Sequence, residues 1–140
     1  MPTERCTLWV ERRTPAGWVG VENLDGSRWY VGRDLFQVVA GPIPGGPPWW
    51  PDPVGRPAGL GPPRGLPVDV SAAVLSASEV AGEWAFCHSW ATLAELETFA
   101  IRHPEYAAGE SLRLDWVLTN MRACGAPADV RAVVWYQDRG

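Results

Sequence analysis

Two stretches of this sequence combine residue types that do chemistry. "FCHSW", Phe86 to Trp90, sets a thiol, an imidazole and a hydroxyl side by side. Consecutive residues of an extended chain point to opposite faces, so adjacency alone does not make a nucleophile and its base. His88 is the candidate base for a hydrolase, while Cys87 reads as a small buried hydrophobe. His103, the other histidine, falls at a helix end, where capping or packing is the ordinary role. The second stretch, "PPRGLPVDVS", Pro62 to Ser71, holds one arginine and one aspartate in a frame stiffened by proline. Proline lowers the entropy lost when a loop is fixed, so Arg64 is presented ready for an anion. As an exposed arginine it contributes little to folding. The competing reading pairs Arg64 with Asp69 at the surface. Arg64, Gly65 and Asp69, with His88, Ser89 and Trp90, form the candidate ligand-binding set: arginine for a phosphate, tryptophan for a stacked base.

The elements that position these residues follow from local pattern. Residues 6–12 and 17–23, rich in β-formers and separated by "RTPA", predict a hairpin, and "RWYV" at 28–31 predicts a further strand after the turn "LDGS". "DLFQVVA", 34–40, carries Leu35, Val38 and Val39 at helical spacing. From Gly41 to Pro67 proline and glycine dominate and exclude helix or central strand; the part at 41–61 is expected to be a partly mobile loop, with Trp49 or Trp50 folded back on the domain. Ser71 can cap a helix over 72–79. "TLAE", 92–95, is a capping box that starts a helix running to about Arg102 before Pro104. A last helix is expected from about Ser111 to Cys124, with Gly125 as a left-handed cap. "DVRAVVWYQD" alternates Val130, Ala132, Val134 and Tyr136 against Arg131, Val133 and Trp135. It predicts a terminal strand paired with one from the first 31 residues, because the middle of the chain offers no other. The fold class is α+β: one domain over 1–140, with an antiparallel sheet of about four strands and helices packed on one face.

Composition bounds the partners. A chain of 140 residues with 46% hydrophobic and 20% charged content is a folded one. Nine tryptophans exceed what a core of this size hides without cost, which points some of them to a pocket or interface. All 12 basic residues are arginine, each a planar fork suited to carboxylates, phosphates or aromatic faces. With a net charge of −4 and no basic block longer than Arg12–Arg13, a duplex nucleic acid partner is excluded. Cys6, Cys87 and Cys124 are odd in number and widely spaced, which points to neither a disulfide framework nor a metal site. No phosphate-cradling glycine loop or other cofactor motif is present. The amino terminus lacks signal-peptide character and no apolar run reaches membrane length, so the expected location is cytoplasmic.

Three segments, "DLF" (34–36), "PPRGLPVDVS" (62–71) and "SWATLAEL" (89–96), occur in the order of a known pattern. They resemble a family of small phage-encoded proteins carrying R-N-Y-x-L-F, then P-R-G-L-P-x-D-V-S, then H-S-x-S-W-L-T-L-x-E-L, and ending on a strand like "VRAVVWYQD". The family's R-N-Y falls on Val31, Gly32 and Arg33, so its arginine is lost or displaced to Arg33, and its first His-Ser pair falls on Phe86 and Cys87. The long Pro/Gly loop looks like an insertion. Carried over, the resemblance marks Arg64, Gly65, Asp69, Ser89, Trp90, Thr92 and Glu95, with Arg33 joining the ligand-binding set as the displaced arginine, and adds no catalytic residue. It implies a non-enzymatic protein, similar in character to phage proteins that sequester a nucleotide immune signal in the host cytoplasm. The alternatives are a protein–protein interaction module of the immunity or antagonist type, in which acidic charge and exposed tryptophans form the interface, and a hydrolase using His88. A homo-oligomer is compatible with each.

Overall fold

Alternation decides the centre of the molecule. Val130, Ala132, Val134 and Tyr136 are buried on one side of the terminal strand, and Arg131, Val133 and Trp135 are buried on the other. A strand buried on both faces belongs inside a sheet and needs cover above and below. In the computed structural model, which describes residues 4–24, 33–40, 59–104 and 114–138, this strand has both. The strands are β1 (Glu4–Thr14), β2 (Gly17–Asn23), β3 (Ala85–Thr92) and β4 (Val130–Asp138), all antiparallel in the order β2-β1-β4-β3. β1 and β4 pair without interruption from Glu4↔Asp138 to Arg12↔Val130, as expected of the two ends of the chain. The hairpin turns through Pro15 and Ala16, where the Thr14 hydroxyl accepts from the Ala16 N–H and donates to the Gly17 carbonyl.

The expectation that the middle of the chain offers no strand is corrected by β3, which pairs with the other side of β4. Its register slips between Phe86 and Ser89, where Cys87 takes a left-handed φ of 56°. The break removes the strict alternation by which a strand is recognised.

The helices are α1 (Arg33–Ala40), α2 (Ala72–Ala81), α3 (Leu93–Arg102) and α4 (Leu114–Arg122). α1, α3 and α4 share one face. There Phe36, Val39, Leu93, Leu96, Leu114, Val117 and Leu118 pack on Leu8, Val10, Ala132 and Val134. α2 departs from the single-face arrangement. Val74 and Ala77 lie on Val133, Trp135, Trp9 and Trp90 across the other face. The reason is in β4, whose Val133 and Trp135 would otherwise face water. Ser71 caps α2 by accepting from the Val74 N–H, and Thr92 with Glu95 forms both halves of the predicted capping box on α3. Gly125 has φ +155°, far from the ~+57° of a left-handed cap. The strand expected at 28–31, the loop at 41–58 with Trp49 and Trp50, and the helix start at Ser111 lie outside the described residues.

Candidate ligand-binding site

The outer edge of β3 is where the held loop lies. The Gly65 N–H donates to the His88 carbonyl at 2.9 Å, and the Arg64 N–H donates to Ser89 Oγ at 3.0 Å. The Arg64 guanidinium then reaches over the strand. Nη1 donates to the Trp90 carbonyl at 3.0 Å and to Glu95 Oε1 at 2.8 Å, and Nη2 donates to Glu95 Oε2 at 2.6 Å. Its Cζ lies over the Trp90 ring, 4.9 Å from the centroid. Gly65 sits at φ +80°, a conformation glycine adopts at little cost, and this turn brings its N–H onto the strand edge.

Glu95 does two jobs with one carboxylate. It accepts the Thr92 N–H as the capping-box acid of α3 and the Arg64 fork as the loop clamp. The Arg64 hydrogen bond, ahead of the cap, holds its carboxyl below the ordinary value, against the opposing effect of burial. The reciprocal bond raises Arg64.

Asp69 takes a different partner from the one weighed above. It accepts from Arg131 Nη1 at 2.9 Å, so the Arg64–Asp69 pairing is not formed. Arg131 also donates from Nε to Glu11 Oε1 at 2.6 Å, and the second Glu11 oxygen accepts the Ser71 N–H at 2.7 Å. Glu11 and Arg131 are buried, at 0% and 4% side-chain exposure, whereas the Asp69 side chain is 60% exposed. Thus both ends of "PPRGLPVDVS" are tied to the sheet. It is a held loop, and Arg64 is one of its fasteners.

These fasteners form a ladder of planar groups. Arg64 stacks near Trp90, Arg131 lies 5.9 Å from Trp90 and 3.9 Å from Trp18, and Arg13 lies 5.6 Å from Trp18. Each arginine has its own carboxylate: Glu95, then Glu11 with Asp69, then Asp129. Cation–π stacking of this kind suits guanidinium better than ammonium.

His88 faces α2. Its Nε2 lies 2.9 Å from Ser78 Oγ and its ring stacks on Trp135, with centroids 5.5 Å apart. Burial pushes its pKa down and that of the Cys87 thiol up. Of the predicted set, Arg64, Gly65, Ser89 and Trp90 come together, joined by the His88 carbonyl. The His88 ring and Asp69 belong to other clusters, and Arg33 opens α1 with its side chain outside the described residues. Comparison of the chain with family models, curated proteins and solved structures finds no match. Function is therefore read from the site.

Sequence reasoning missed two things here. One is the Arg131–Glu11 pair, joined across 120 positions. The other is a groove of about 370 Å³ beside the clamp, lined by Gly59, Leu60, Glu95, Phe99, Arg102 and His103 among others. Among the described residues no group of three or more His, Cys, Asp or Glu is placed to hold a metal ion, and no helix is long and apolar enough to cross a membrane.

Proposed function

We propose that the protein is a non-enzymatic binder of a small, nucleotide-like anion, and that Arg64 meets the charge. One observation supports this above the rest. A guanidinium carries five N–H donors. Glu95 and the Trp90 carbonyl take both hydrogens of Nη1 and one of Nη2, leaving the Nε–H and the second Nη2–H as a fork with no partner among the described residues. A fork of that shape takes a phosphate or carboxylate through two parallel bonds. The arginine is already immobilised, so little rotamer entropy remains to be lost on binding. A base would extend the alternation of planar groups that Trp90 and Arg64 begin. In the phage setting that the motif resemblance implies, such binding would sequester a nucleotide signal in the host cytoplasm.

A second reading, a protein–protein interaction module, is favoured by the apolar residues that α2 and the turn after it leave in water. Val80 is 86% exposed and Trp84 42% exposed, next to Glu79 and Glu83. A hydrolase through His88 has less support, because the imidazole is packed on Trp135 and Ser78, and Ser78 is itself buried.

Calorimetric titration with a panel of cyclic and linear nucleotides tests the proposal. Arg64→Lys keeps the positive charge beside Glu95 but has no second fork, and should weaken binding by about 1.5–3 kcal/mol. Arg64→Ala is the poorer probe, because the structure makes Arg64 a fastener of the loop and not the free arginine expected. If no nucleotide binds the wild type at micromolar concentration, the sequestration reading fails and the interaction module takes its place.

A further inference from the structure

The groove along α3 has features that the Arg64 shelf does not explain. Its floor is apolar, with Phe99, and Ala94 and Thr98 stand on the same helix face. The opposite wall is Gly59–Leu60, fixed on α1. The Leu60 N–H donates to the Val38 carbonyl at 2.7 Å, and a Cβ at Gly59 would fall 2.6 Å from that same oxygen. Glycine is therefore required for the wall to stand this close to α1.

The charge in the groove is one-sided. Glu95 is neutralised by its two bonds to Arg64, and the next acid on the helix, Glu97, is held by Arg122. Arg102 is exposed and has no hydrogen-bond or ion-pair partner among the described residues. It stands in the last turn of α3, where the helix dipole favours a cation. The ring of His103 beside it packs tilted against Phe99 with centroids 4.9 Å apart, and its nitrogens make no hydrogen bond among the described residues. An apolar trough with one guanidinium that no described carboxylate pairs, and an imidazole, at one end accepts a molecule with an apolar body and a terminal anion. Its volume is at the lower end of the range for small-molecule sites, about 300–1,000 Å³.

We infer that this groove is a second binding site, separate from the Arg64 fork, for small organic anions of the aryl phosphate or aryl carboxylate class. The aromatic body lies on Phe99 and Leu60, and the anion on Arg102 with His103. Neither half suffices alone. The exposed arginine holds a bare anion weakly against water, and the open trough releases a neutral ring.

The test uses the full chain with phenyl phosphate, phenol and inorganic phosphate as probes, followed by ligand-observed NMR and calorimetry. Phenyl phosphate should saturate the wild type, with phenol and inorganic phosphate each at least about tenfold weaker, the order of one charge-assisted hydrogen bond. Arg102→Ala should cost phenyl phosphate roughly tenfold in affinity. Ala94→Trp, at an exposed helix position, should abolish binding by filling the trough. Both substitutions leave buried side chains untouched, so an unchanged melting midpoint shows that each variant folds. Arg64→Lys, which disables the proposed nucleotide fork while keeping Glu95 neutralised, should leave phenyl phosphate binding unchanged; the two readings can thus fail separately. Equal affinities for phenyl phosphate and inorganic phosphate would overturn the inference, as would unaltered binding in Arg102→Ala or Ala94→Trp, or no saturation at millimolar phenyl phosphate.

Discussion

Arg131 shows what a single buried side chain commits the molecule to. Its guanidinium is fixed by Glu11 and Asp69 and lies against the Trp18 ring, with Glu11 wholly inaccessible. Arg131→Met leaves that carboxylate buried and unpaired, and should destabilise the protein by about 3–5 kcal/mol in a denaturant titration. Adding Glu11→Leu should recover much of the loss, because two apolar groups replace a pair instead of stranding one charge. A double variant no more stable than the single one would show that the charge is not what matters. Arg131→Lys should also be poorly tolerated, since an ammonium cannot hold two carboxylates and stack on an indole together. At the other end of the loop, Thr92→Ala removes the acceptor of the Glu95 N–H and should cost about 1 kcal/mol by thermal melt. An unchanged midpoint would place the start of α3 elsewhere.

At the level of elements, the Pro-rich loop protects an edge. β3 ends the sheet, and an open edge invites another strand. The loop covers it with the Gly65 N–H on His88 and Arg64 on Trp90, while Pro62, Pro63 and Pro67 carry no N–H with which to pair onward. Arg64→Ala should uncover the Trp90 carbonyl and speed aggregation under mild heating, read by light scattering. Arg122→Ala, which removes a comparable surface ion pair to Glu97 away from that edge, should not. Equal scattering from both variants would assign the effect to lost charge. This arrangement also shows which features local sequence carries. The caps at Ser71 and Thr92 and the stop before Pro104 act within one helical turn, so their residue types state them. The β1–β4 pairing follows from an alternation too apolar to stand at an edge. β3 was illegible because the bulge at Cys87 breaks its period, and because "AFCHSWAT" sets small residues against aromatic ones with no apolar stripe. Arg64 was legible as a site residue from its rigid frame, but its partner was not. Glu95 lies 31 positions away and already had a local role as a cap.

For the whole molecule these contacts combine into one dependence on pH, because His88, Glu95 and Asp69 shift in the acid-sensitive direction. Burial lowers His88 below its ordinary value of about 6.5, so the native state holds the imidazole neutral against Trp135 and Ser78. As pH falls through about 6.5 the unfolded chain takes up this proton first, and stability declines until the native imidazole is protonated too. The arginine bonds lower Glu95 and Asp69 below about 4.5 and 3.8. Their contribution is complete above those values and is lost as pH falls through the depressed native ones, again because the unfolded state protonates first. The melting temperature should therefore hold a plateau around neutrality, step down below about pH 6.5, and fall further below about pH 4.5. His88→Gln keeps a polar side chain facing Ser78 but does not titrate, so it should erase the first step and leave the second. Glu95→Gln should shrink the second and leave the first. A wild-type curve flat from pH 7 to pH 5 would mean that His88 is not held neutral, and a first step that survives in His88→Gln would assign the proton to another group.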